Sequence, residues 1–199
     1  MTGERSEDDW VKVLIGAIET GVPVDPGGEN LGILDGEFDE DRAVIAPTDE
    51  LLKGWGSERT VPAAAVRRAV LSRELTADPH GLQIYAVRIV GSLDLTGARL
   101  GHRLVFARCH FPQGIRGRQL QAAGLNIPGC RTAEIDLDGA HLDNDAFWAG
   151  LTAAGQVRAV CAHIGGQLNL KKATLFNPDG IALGLDGARV DGVRTSAAS

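Results

Sequence analysis

One rhythm constrains this chain more than any other feature. The run Gly91-Ser-Leu-Asp-Leu-Thr-Gly-Ala-Arg-Leu100 returns as Ala133-Glu-Ile-Asp-Leu-Asp-Gly-Ala-His-Leu142. It returns again as Gly166-Gln-Leu-Asn-Leu-Lys-Lys-Ala-Thr-Leu175 and as Ile181-Ala-Leu-Gly-Leu-Asp-Gly-Ala-Arg-Val190. A weaker copy spans Leu104-Val-Phe-Ala-Arg-Cys-His-Phe111, and Leu125-Asn-Ile-Pro-Gly-Cys130 is a fragment of another. The shared skeleton is L-x-L-x-x-A-x-L, two five-residue units in succession. In an extended segment, residues two apart point to the same side. Each unit therefore sends a pair of apolar side chains inward, then turns a corner with residues such as Gly, Asp or Lys. A helix smears a period of five around its circumference, and a flat sheet cannot alternate at intervals of two and three. A coil of short faces satisfies the pattern, each coil hydrogen-bonded to the next at about 4.8 Å. Only 5% of the residues are aromatic, so the interior is filled by Leu, Ile, Val and Ala, which suits thin regular layers.

On these blocks the chain resembles the pentapeptide-repeat family, whose unit is A-[D/N]-L-x-x. The central positions are Leu95, Leu100, Leu137, Leu142, Leu170, Leu175, Leu185 and Val190. Small residues stand at Ala98, Ala140, Ala173 and Ala188, and Asp94, Asp136 and Asn169 fill the polar slot. The resemblance covers 84–192 and is degraded over Gly101–Arg131, where Pro112 and Pro128 intervene. It implies a right-handed, four-sided parallel β-solenoid with coils of about 20 residues. Asp143–Gly155 breaks the five-residue phase and carries apolar residues at helical spacing, so it is expected to be one short helix inserted at a corner. Discounting those 13 residues brings the Asp94–Asn169 offset from 75 to about 62, near three coils, and Asp94–Asp136 is 42, about two. Asp94, Asp136 and Asn169 are thus expected to stack on one face.

Residues 1–81 read as an acidic, helical and loop-rich region preceding the solenoid of 82–199. A first helix is expected over 6–20. Ser6 caps it, Glu7, Asp8 and Asp9 suit its positive end, Trp10, Val13, Leu14, Ala17 and Ile18 recur at helical spacing, and Gly21 ends it. Val22–Asn30 is a turn-rich connector. Residues 31–46 suggest two short strands around the acidic loop Asp39–Asp41. A second helix is expected over Ala63–Leu75, with Thr60 as its cap and Pro62 in its first turn, and it is placed to cover the first coil.

Charge divides the chain. Residues 1–60 carry 15 Asp and Glu against 5 Lys and Arg, while 61–199 carry 11 against 15. Such a division marks either an interaction surface or two packed parts that attract one another. Cys109, Cys130 and Cys161 form no paired spacing, which points to free thiols in a reducing compartment. The polar N-terminus and the lack of a long apolar run point to a cytoplasmic protein without a membrane span.

Chemistry-bearing motifs are few. Cys109 and His110 are neighbours and face opposite ways in a strand, and Cys161-x-His163 is a weak metal signal by itself. No phosphate loop, nucleophile elbow or dinucleotide fingerprint is present, so no catalytic residue, cofactor or metal is assigned. Arg99, Arg103, Arg108, Arg116 and Arg118, with Arg131 and Arg158, are candidates for a basic face beside His141, Thr174 and Arg189. The absence of interleaved aromatics argues against nucleic acid as the partner. Phe147 and Trp148 on the expected insertion are the candidate contact aromatics. The leading expectation is a non-catalytic scaffold that binds another protein, with a homodimer formed through the last coil. Two alternatives stand beside it. Some pentapeptide-repeat proteins are DNA mimics that bind topoisomerases, though the positive balance of 61–199 departs from that pattern. The other is a ligand or enzymatic site between the N-terminal region and the solenoid.

Overall fold

The computed structural model describes residues 5–29, 45–73 and 75–192. From Leu82 to Gly192 the chain winds as a parallel β-solenoid of about five turns. Each coil has four short faces. In the third coil the inward side chains are Leu125, Ile127, Cys130, Thr132, Ile135, Leu137, Ala140 and Leu142, all buried. The fourth coil repeats that spacing with Ala146, Trp148, Leu151, Ala153, Val157, Ala159, Ala162 and Ile164. The same-side rule for extended residues thus acts four times per coil, and stacked coils pool their pairs into one apolar column.

The coil measures 20 to 22 residues, as the pairs Arg88↔His110, Leu104↔Leu125, Gln121↔His141 and Ala146↔Leu168 show. One half-coil is the ten-residue rhythm, and an added corner residue often separates halves. The final coil is longer, since His163 pairs with Arg189. Its extra length is the corner Phe176–Ala182 between the strands Thr174–Leu175 and Leu183–Gly184.

The corner inside a half-coil has a recurrent construction. The carbonyl of the preceding inward residue, three positions back, accepts the N–H of the small residue, as in Ala98 N to Leu95 O at 3.0 Å and Ala188 N to Leu185 O at 2.9 Å. The residue before the small one is left-handed. Gly97, Gly139 and Gly187 serve there with φ between 66° and 67°. Ala86, Arg108, Gln119, Cys161 and Lys172 occupy the equivalent place with φ of 48° to 59°. The polar slot supports the same corner. Asp94, Asp136 and Asn169 accept the N–H groups of Thr96, Asp138 and Lys171 at 2.9, 3.2 and 2.9 Å, a local side-chain turn.

The expected insertion at 143–155 is not helical. Ala146–Phe147 and Thr152–Ala153 are strands in the coil's normal places, with Ala146 paired to Leu168 and Thr152 to Thr174. Ala146 and Trp148 stand where other coils place Leu, Ile or Phe, so an ordinary half-coil reads as helical. The short inserted helix of this chain lies earlier, at Asp49–Lys53. The stacking expectation changes accordingly. Asp94 and Asp136 share a face with Arg116 between them, whereas Asn169 pairs with Phe147 on another face.

The N-terminal residues cap the column. Helix α1 (Glu7–Thr20) begins at Ser6, whose hydroxyl accepts from Asp9 N while Asp9 returns the bond, and it ends at left-handed Gly21. Helix α2 is Asp49–Lys53, capped by Thr48. Helix α3 (Ala63–Val70) is shorter than its expected span, because Ser72 and Arg73 offer no apolar stripe beyond Leu71. Thr60 is not its cap. It belongs to the strand Thr60–Pro62, which pairs with Arg88–Val90 of the first coil. Trp10, Leu14 and Ile18 of α1 pack with Ala65, Val66 and Ala69 of α3 and with Leu82, Ile84 and Val87 in a core continuous to Ile164. Val24 also bridges to Ile84, so the connector of 22–30 is stitched to the first coil. The strands expected around Asp39–Asp41 lie outside the described residues. Among the described residues, no helix is long and apolar enough to cross a membrane.

Candidate functional site

The arginines expected on one basic face are distributed over several. Arg116 stands in the column Asp94, Arg116, Asp136, Arg158, where acid and base alternate on successive coils. Arg118 lies beside that column, 3.8 Å from Asp136 and 3.9 Å from Asp138. Arg158 donates to Asp138 through Nε at 3.2 Å and through Nη2, and Asp138 also accepts Val160 N at 3.0 Å. These bonds, Arg158 foremost, hold the Asp138 carboxyl below the usual carboxylate range. This face is a compensated ladder rather than a field of one sign.

Other arginines fasten the N-terminal region. Glu29 takes Arg59 on one oxygen and Arg108 on the other, each at 3.0 Å, with all three side chains largely buried. Arg131 reaches Asp49 of α2 at 2.5 Å, and Arg88 donates to the carbonyl of Leu52 at 2.6 Å. Arg68 of α3 holds Glu7 and Asp8 of α1. The acidic and basic parts of the sequence are thus joined by specific pairs. Of the remaining candidates, Arg99 is exposed at the head of the outward column Arg99, Gln121, His141, His163, Arg189. Thr174, expected to belong to that line, pairs instead with Thr152 on another face.

Phe147 and Trp148 do not form an aromatic contact pair. Trp148 is fully buried, and its indole N–H donates to Leu125 O at 2.9 Å. Phe147 is half-buried on the outward side of the same strand. Cys109 and Cys130 occupy the small-residue slot on successive coils and are buried, and burial pushes the Cys130 thiol up. Cys161 is exposed at a left-handed corner. No group of three His, Cys, Asp or Glu among the described residues converges on a metal position.

Two surfaces stand out among the described residues. The first is a polar cleft of about 540 Å³ where Asp78 and Pro79 meet the corners of three coils at His102–Arg103, Gly124–Asn126 and Asn144–Asp145. Small residues at Gly101, Ala123 and Gly124 make room for it, and the ladder shifts register between Leu100 and Arg103. Arg103 Nε donates to Pro79 O at 3.3 Å, and Asp145 accepts Gln167 N at 2.7 Å. His102 is buried with Nε2 unpartnered, and burial lowers its pKa, so the ring is held neutral. Its volume lies in the range of small-molecule sites.

The second surface is the end of the solenoid. Leu168, Leu170, Ala173, Leu175, Leu183, Leu185 and Val190 continue the apolar column yet are only partly buried. Phe176 and Ile181, on the long corner of that coil, are each 63% exposed. This is the coil through which the sequence predicts a homodimer. Its exposed corner is the extra length between Leu175 and Leu183.

Compared with known protein families, with curated proteins and with solved structures, the chain finds no match in any of the three.

Proposed function

We propose that this chain is a non-catalytic scaffold of pentapeptide-repeat type that binds another protein chain, a second copy of itself, through its last coil. The observation that carries this reading is the half-exposed apolar layer at that end, with Phe176 and Ile181 exposed beside it. An apolar layer left open is an association surface, and a two-fold arrangement lets one coil cover its own counterpart. The L-x-L-x-x-A-x-L rhythm and the four-faced coil support the pentapeptide-repeat reading. The extra corner residues depart from a strict 20-residue coil. A DNA mimic needs strongly negative faces, and the Asp–Arg ladder offers none on the face that carries it.

Light scattering coupled to size exclusion tests the reading. The wild type is expected at the mass of a dimer at tens of micromolar, and Phe176→Ser/Ile181→Ser at the mass of a monomer with unchanged circular dichroism. A monomeric wild type at that concentration would overturn it.

A further inference from the structure

The outward column of Arg99, Gln121, His141, His163 and Arg189 brings two imidazoles together. His141 and His163 pair directly across the third and fourth coils. Their Nδ1 atoms are 3.1 Å apart, and the rings meet edge to face with centroids 4.5 Å apart. Each ring turns its other nitrogen to a carboxylate. His163 Nε2 is 2.8 Å from Asp191 Oδ2, and His141 Nε2 is 3.3 Å from Asp143 Oδ1. Asp191 also accepts Arg189 Nε at 2.7 Å, and the His163 bond followed by the Arg189 bond holds its carboxyl below the ordinary range.

The hydrogens follow from this arrangement. An ionised carboxylate only accepts, so His163 Nε2, hydrogen-bonded to Asp191, carries the hydrogen and leaves His163 Nδ1 bare. A neutral imidazole protonated at Nε2 has a bare lone pair at Nδ1. In the hydrogen-bonded pair the Nδ1 atoms share one proton at 3.1 Å, and with the hydrogen of His141 moved to Nε2, beside Asp143, a metal ion takes that proton's place between them. Two nitrogens about 2.1 Å from one ion and 3.1 Å apart subtend roughly 95° at it, which suits neighbouring positions on a first-row divalent metal. Carboxylates behind metal-binding imidazoles orient the rings and raise their basicity. Both rings are accessible, with 47% of the His141 side chain and 32% of the His163 side chain exposed.

We propose that His141 and His163 form a two-imidazole site for one Cu²⁺, Ni²⁺ or Zn²⁺ ion on the solenoid face, with Asp143 and Asp191 orienting the rings. Water fills the remaining coordination positions. The ion ties the third coil to the fourth, and protons compete with it for the two ring nitrogens, so affinity falls as the solution is made more acidic.

Isothermal titration of the full chain with CuCl₂, NiCl₂ and ZnCl₂ at pH 7.5, in a non-coordinating buffer, tests this. One equivalent is expected to bind. His141→Gln and His163→Gln should each weaken binding at least ~10-fold, and Asp191→Asn ~10-fold or more. On the wild type, substoichiometric Cu²⁺ should broaden the imidazole resonances of His141 and His163 before those of His80, His102 and His110. The proposal is overturned by absence of binding, by binding that survives both glutamine variants, or by broadening that begins elsewhere. A pair that titrates as one shared proton and takes up none of the three metals overturns it equally.

Discussion

At position 148 the interior column accepts an indole where neighbouring coils place Ile127 and Leu170. The accommodation is local. Ala146 and Ala153 flank it on the same half-coil, so small neighbours leave volume for the ring. The indole N–H would be an orphan in an apolar layer, and the carbonyl of Leu125 on the coil before satisfies it. Replacing this side chain opens a cavity and frees a buried acceptor, so Trp148→Ala should cost about 3–5 kcal/mol in urea unfolding followed by far-ultraviolet circular dichroism. Trp148→Leu, which restores the common slot residue, should cost less. This is also the residue where the sequence misleads most. Its size and the dense apolar run around it mimic an amphipathic helix, whereas the two-and-three spacing of Ala146, Trp148, Leu151 and Ala153 is the repeat itself. A rule that recognises only Leu at the centre of the unit cannot see it.

Among elements, the left-handed corner is the recurrent expense of this architecture. A side chain in that conformation is strained by roughly 1–2 kcal/mol, which glycine avoids. Gly97 has open space around a hypothetical Cβ and φ of 67°, so Gly97→Ala isolates the conformational cost. It should lower stability by about 1 kcal/mol, and Gln119→Gly, at a corner with φ of 56°, should raise it by a similar or smaller amount in thermal unfolding. The corners explain which elements could be read beforehand. Helix α1 was legible because cap, stripe and terminating glycine agree. The solenoid was legible because its corners repeat. Helix α2 has five residues, too few to show a period. Thr60–Pro62 becomes a strand because the first coil offers it an edge at Arg88–Val90, a partner no local window contains. The His141–His163 contact stayed hidden for a related reason. It depends on a spacing of 22 residues, and a uniform coil of 20 sets His163 out of line.

The whole molecule is asymmetric along its axis. At one end α1 and α3 close the apolar column, and ion pairs from Glu29 and Asp49 bind the acidic segment to the second and third coils. At the other end the last coil keeps a partly buried interior. In a solenoid each repeat leans only on its neighbours, so local stability follows this gradient. Amide hydrogen exchange is expected to be fastest within 168–192 and slowest between 104 and 146, measured at a dilution where any dimer has dissociated. The charge division in the sequence allowed for two parts that attract. It did not reveal that the arginines opposite are spread over different faces, since that depends on coil register. The register has a further consequence. Because the inward rhythm recurs within 20 to 22 residues, a segment of that length can be excised or duplicated and leave both flanking layers against matching neighbours. Loss of a single residue inside a half-coil instead turns the side chains between it and the next corner to the wrong side. The rod therefore lengthens and shortens by whole rungs of about 4.8 Å, and its sequence is a ruler with one graduation.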